Sequence, residues 1–217
     1  FLRYTFFTNI KNLYPDTEIF YLRPDRGPRV NSESLIWIFQ NIETRNSYFP
    51  EKDFPTEKYE KLRREIDWMY TDTTYYKYFE AGWNSSGFSS DYEIIATDQT
   101  IFKNWLHKGV IMVFQHLKMN TDVTPESFEE TTKTYWQSDD YAPEPGVLKV
   151  LMKCTRGFRE RAYTQLYMFS NRQLREDYFP YEGQPQNVKI SASDLSAWKD
   201  FVNTEGSDLE GHYEIVY

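Results

Sequence analysis

"VLKVLMKCTRGFRERAYTQLYMFSNRQLREDY", residues 147–178, is the stretch on which the fold class turns. Leu148, Leu151, Thr155, Phe158, Ala162, Leu166 and Phe169 recur every three or four positions, the spacing of one buried helix face. Read in this way the stretch is a long helical pattern, with Gly157 as the point where it breaks in two. On that helix Lys149, Lys153 and Arg156 fall within about sixty degrees of one another and form a basic stripe.

Helical spacing extends outward on both sides. "NSESLIWIFQNI" opens on cap-type residues and aligns Leu35, Ile38, Phe39 and Ile42. After Pro55, the positions Tyr59, Leu62, Ile66, Met69, Thr73, Tyr76 and Phe79 make the clearest stripe, and Gly82 is placed to end it. Tyr76 and Phe79 belong to the core side of that helix. Tyr75 and Tyr78 lie off it, as rings available to a partner. Residues Ile101 to Leu117 fit a helix from near Thr97, with a strand through 109–114 as the alternative. "TPESFEETTKTYW" begins a helix with Thr124 as N-cap and Pro125 at its first position. A last helix is expected from Ser193 to Val202. "TEIFYLRP" reads as a strand ended by Pro24, and the alternating "HYEIVY" near the end is its expected partner.

The expected fold is therefore mainly α (α+β): about five or six helices with a small β element near the termini. Residues 1–217 form a single domain, and 23–31 an irregular basic arm carrying Arg23, Arg26 and Arg29. No internal repeat stands out.

Composition narrows the function. Cys154 is the only cysteine, which excludes an internal disulfide and a thiolate-rich metal site, and fits a reducing, intracellular compartment. No apolar run reaches the length of a membrane span. The chain opens on Phe1 rather than Met, which permits a mitochondrial address without selecting it. His107, His116 and His212 have no spacing that shares a metal, and no phosphate loop, dinucleotide fingerprint or serine elbow occurs. No cofactor, metal or catalytic residue is assigned.

Aromatics make up 18% of the residues, and the formal net charge is −8. Segment 147–176 nevertheless sums to +5, beside an acidic segment 121–145 of −6. The expected function is a non-catalytic structural or accessory subunit of a larger multiprotein assembly. It would dock through Arg23, Arg26, Arg29, Tyr75, Tyr78, Lys149, Lys153 and Arg156. Other protein subunits are the expected partners, with anionic lipid headgroups as a further class. Free nucleic acid is excluded by the overall negative charge. Two other readings stand beside this one. A carbohydrate-active hydrolase would use Asp139, Asp140 and Glu144 in the aromatic-flanked loop 136–144. A self-assembling viral or storage-type protein would use the aromatic surplus.

Overall fold

The computed structural model describes residues 16–27, 30, 34–50, 56–58, 61, 64, 90–99, 102–157, 159–179 and 197–216, with backbone alone for 204–210. Among them are seven strands: β1 (Thr17–Arg26), β2 (Ser34–Phe39), β3 (Ser90–Thr97), β4 (Ile111–Met119), β5 (Val147–Gly157), β6 (Tyr163–Phe169) and β7 (Val202–Ile215). Three α-helices accompany them: α1 (Ile42–Tyr48), α2 (Pro125–Trp136) and α3 (Arg172–Tyr178). The protein is mainly β, which overturns the mainly α expectation.

The correction is sharpest in the stretch quoted above. Residues 147–178 are not a helix broken at Gly157 but two antiparallel strands followed by the short α3. Every residue of β6 is buried, as are the first six of β5. A strand covered on both faces is apolar on both, and an uninterrupted apolar run satisfies a helical stripe as readily as a strand. The same reason turns residues 111–119 into β4, and residues 34–39 form the partly exposed strand β2 rather than a helix. Of the helix expected over 193–202, Ala197 and Trp198 are helical, 199–201 form a turn and Val202 opens β7, while 193–196 lie outside the described residues. Glu57, Lys58, Lys61 and Arg64 are helical. The rest of that predicted helix, with Tyr75, Tyr76, Tyr78 and Phe79, lies outside the described residues.

Two compact units divide the chain, one formed by 1–21 and 35–88, the other by 22–34 and 89–217. In the second the antiparallel strand order is β1-β7-β4-β6-β5-β3, β1 entering through its residues from Leu22 onward. Its chain path β4-α2-β5-β6-α3-β7 gives the split β-α-β order β7-β4-β6-β5. β1 pairs with β7 at Leu22↔Ile215 and Arg23↔Glu214, so the strand passes Pro24 and runs to Arg26. Pro24 is tolerated because the register shifts between Pro24 and Arg26, a bulge that relaxes the ladder where the proline lacks an N–H.

Helix α2 follows its sequence signals. Thr124 accepts a hydrogen bond from Ser127 N, Pro125 occupies the first turn, and Phe128, Thr132 and Trp136 form the buried stripe. That stripe packs on Leu117, Leu151, Tyr163, Trp198 and Val202. A second apolar cluster joins Ile111, Val113, Val147, Tyr167 and Phe169 to Tyr178 and Phe179.

The chain contains an internal repeat after all. Gly27 and Gly157, Trp37 and Tyr167, Phe39 and Phe169, Asn41 and Asn171, Arg45 and Arg175, Tyr48 and Tyr178, Phe49 and Phe179 stand at one constant separation. The structures agree: β1-β2-α1 is matched by β5-β6-α3. Asn41 (φ −160°, ψ 174°) caps α1 by accepting from Thr44 N, as Asn171 (φ −159°, ψ 167°) caps α3 by accepting from Leu174 N. Each helix ends when a Phe N–H donates to the Arg carbonyl four residues before it, at 2.8 Å in both. Gly27 (φ 103°) and Gly157 (φ 109°) leave their strands through a conformation that disfavours side chains. Even the ring contacts repeat. Trp37 meets Phe49 edge-on at 5.3 Å, and Tyr167 meets Phe179 edge-on at 5.5 Å. Phe39 meets Phe49 at 6.1 Å, and Phe169 meets Phe179 at 6.0 Å. Part of the aromatic surplus is thus one quartet used twice.

Candidate functional site

The densest polar constellation lies where β1, β7 and α3 meet. Alternation along β7 places His212 and Glu214 on one side of the strand, and β1 brings Arg26 opposite His212 and Arg23 opposite Glu214. The i,i+3 spacing of Arg172 and Arg175 turns both toward the same place from α3. His212 Nδ1 accepts from Arg26 Nε at 3.1 Å and from Arg175 Nη1 at 3.0 Å. Arg175, whose side chain is 1% exposed, also pairs with Asp25 and with Glu176 at 2.8 Å. Arg172 reaches Asp25 at 2.7 Å and Glu214 at 3.4 Å, Arg26 reaches Glu176 at 3.3 Å and the Phe179 carbonyl, and Arg23 pairs with Glu214.

These contacts fix the protonation states. Burial, helped by the Arg26 and Arg175 charges, pushes His212 down to about 3. Its Nδ1 lone pair is already occupied by two guanidinium donors, so the ring is neutral and has no free site for a proton. Burial would raise Asp25, but the hydrogen bonds and charges of Arg175 and Arg172 outweigh it and hold the carboxyl below its usual value. A closed junction of this kind holds three elements together. It does not present a general base.

The basic residues of β5 are distributed differently from the helical stripe expected of them. Strand alternation puts Lys149 and Lys153 on one face with Leu151, and a register shift against β3 interrupts that alternation between Cys154 and Arg156. Lys149 is buried at 2% exposure, its amide donating to Asp98 Oδ1 at 2.8 Å and its ammonium 5.6 Å from the Tyr141 ring centre. Lys153 pairs with Glu129 of α2 at 2.8 Å, and Tyr163 donates to the same carboxylate at 2.6 Å. Those two hydrogen bonds overcome the effect of burial and lower Glu129, while burial and Glu129 raise Tyr163. Arg156 pairs with Asp91 of β3 at 2.8 Å. The acidic segment 121–145 therefore supplies Lys153 with its counter-ion from within the chain.

Of the other residues singled out from sequence, Arg29, Tyr75 and Tyr78 lie outside the described residues. Asp139, Asp140 and Glu144 are exposed on the loop after α2. Cys154 is buried and donates to the Arg156 carbonyl. His116 is buried against the Thr164 hydroxyl at 2.8 Å. Among the described residues no group of three or more His, Cys, Asp or Glu side chains could hold a metal ion, and no helix is long and apolar enough to cross a membrane.

Sequence reasoning missed Asp25, Arg172, Arg175, Glu176, His212 and Glu214 as one cluster. The alternation of "HYEIVY" did place His212 and Glu214 on one face, and their pairing with β1 would have brought the arginines to them. It missed Gln165 entirely. This side chain is fully buried in β6 opposite Gln115, and both its amide atoms are without a hydrogen-bond partner.

No protein-family model matches this chain, and no curated protein does. It is similar to one solved structure, the "Putative monooxygenase (FN1347)" of Fusobacterium nucleatum subsp. nucleatum. The two are 13% identical over 97% of this chain and 86% of that one, with a TM-score of 0.41. A likeness of that degree says nothing about activity.

Proposed function

We propose that this chain is a non-catalytic subunit of a larger protein assembly, docking through exposed apolar side chains rather than through the basic residues of β5. The supporting observation is where the repeat is left uncovered. Leu35 of β2 and Ile42 of α1 are 40% and 56% exposed. Their counterparts in the second copy are Gln165, which is fully buried, and Arg172, which is ion-paired. Apolar groups placed where a homologous segment is covered or charged mark an interaction surface.

Lys149 is buried, and Lys153 and Arg156 are matched by Glu129 and Asp91, so an anionic lipid surface has little to attract there. Protein subunits are therefore the partner class of this reading. Its compartment is intracellular and reducing, as the single buried Cys154 suggests, with the mitochondrion as the proposed address.

Sizing of the native protein from its source at physiological salt tests the reading. We expect migration well above the 26.2 kDa of the chain. A native protein running as a monomer in extract, at the same position as the purified chain, would overturn it.

A further inference from the structure

The β4–β6 ladder sets two polar pairs next to each other, and they behave differently. His116 and Thr164 face each other and satisfy each other at 2.8 Å. Gln115 and Gln165 stand one residue along, on the other face of the sheet, and do not. Gln115 Oε1 accepts from the Tyr167 hydroxyl at 3.5 Å. Among the described residues Gln165 alone buries two polar side-chain atoms, Oε1 and Nε2, with no hydrogen-bond partner. Burying an amide in that state costs its full hydration, so the group calls for a partner from outside the fold. The module itself does not require the amide. The first copy of the repeat has Leu35 at this position, with the same cap and ring quartet. The apolar core also divides here. Leu117, Leu151 and Tyr163 border the two glutamines on one side and belong to the cluster that α2 covers. Val113 and Tyr167 border them on the other and belong to the cluster that Tyr178 of α3 joins.

We infer that this face of β4 and β6 binds a small planar lactam, seated where the two clusters part. Gln165 presents an acceptor and a donor side by side. A cyclic amide meets both with two parallel hydrogen bonds: its N–H donates to Oε1 and its carbonyl accepts from Nε2. Tyr163 and Tyr167 flank Gln165 along β6 on the same face, so the lactam carries an aromatic ring that packs against theirs. Gln165 is fully buried, so the ligand enters only as side chains of the two clusters move apart, and association is slow. The site lies within one chain and stands or falls apart from the assembly reading.

The probe is carbostyril, a bicyclic aromatic lactam, brought to equilibrium by dialysis against the whole protein. We expect saturable binding. N-methylcarbostyril keeps the rings and the carbonyl but lacks the donor, and should bind about tenfold more weakly, the effect of one hydrogen bond. Gln165→Leu, the residue that the first copy uses, should weaken carbostyril binding by about tenfold or more, since it removes both hydrogen bonds. The same variant should unfold at a temperature no lower than the parent, because it replaces an unpartnered buried amide by an apolar group of similar size. No saturable binding of carbostyril, equal binding of the N-methyl compound, or equal binding by Gln165→Leu would overturn the inference. So would a lower unfolding temperature for Gln165→Leu, because the amide would then have its partner within the fold.

Discussion

Residues 41–49 and 171–179 have the same cap, the same buried arginine, the same tyrosine–phenylalanine end and nearly the same ring geometry. They differ in what surrounds them. In the second copy the first helical residue is Arg172, tied to Asp25 and Glu214, and the preceding strand is wholly buried. In the first copy that helical position is Ile42, 56% exposed, and the strand is only partly covered. The strand–strand–helix module is thus fixed by its own aromatic packing and capping. The positions free to diverge are those that face outward from it, and they separate a closed structural copy from an open one.

The largest expected effects should separate the two copies through their central rings. Phe169 is fully buried, so Phe169→Ala should cost about 3–5 kcal/mol, whereas Phe39→Ala, in the partly exposed β2, should cost about half as much. Urea denaturation of the two variants measures this. Equal losses would show that β2 is covered in solution as fully as β6.

A comparable loss is expected at the ion network. Arg175→Met leaves Asp25 and Glu176 without their buried partner and should cost about 3–5 kcal/mol. A double variant with Asp25→Asn should recover part of that loss, because the carboxylate left with Arg172 as its remaining partner is then gone. If the double variant is no better than the single, the charge pairing of Asp25 with Arg175 is not what the arginine contributes.

His212 gives the second copy a pH dependence. Its folded pKa is depressed to about 3 from an ordinary 6.5, so its contribution is fully present above pH 6.5 and is lost as pH falls through that window. Between pH 6.5 and 5, above the carboxylate range, stability should fall by about 2 kcal/mol. The Asn of His212→Asn can still accept a hydrogen bond but does not titrate, and this slope should disappear with it. A slope that survives the substitution would assign the titration to another group.

The smallest effects should make the copies alike again. Asn41→Ala and Asn171→Ala should each cost about 1 kcal/mol, since each removes one side-chain acceptor from an exposed helix start. A difference between them larger than this would show that the two caps are not equivalent despite their matching angles.

What was legible in the sequence was whatever has a local cause. Thr124 and Pro125 start α2 by satisfying or omitting end N–H groups, and no distant residue is needed to see it. The strand at 17–23 and the alternation of "HYEIVY" were legible because β-type residues and a two-residue period show within each segment itself. Strands β5 and β6 were not, and β4 was legible only as the alternative strand through 109–114. Their burial on both faces comes from neighbours far along the chain, and an apolar run carries no period to tell a strand from a helix. The helical geometry assumed for Lys149, Lys153 and Arg156 went with the helix, since all three stand on strand β5. The repeat was readable in "NIETRNSYFP" and "NRQLREDYFP", whose shared Asn, Arg and Tyr-Phe-Pro stand in register. A search for helical stripes passes over that pattern because most of it lies at the helix ends.

The ladder that ties Leu22 to Ile215 also bears on the order in which the molecule assembles. The β5–β6 hairpin closes a short loop and can form early, whereas β1 and β7 meet only after nearly the whole chain has been gathered, at a high entropic cost. Until then β1-β2-α1 and β5-β6-α3 are two similar modules in one unfinished molecule, and β7 still has an open edge. At high concentration the wrong module, from another molecule, can take that edge. Refolding yield should therefore fall with protein concentration well before the native state itself becomes insoluble.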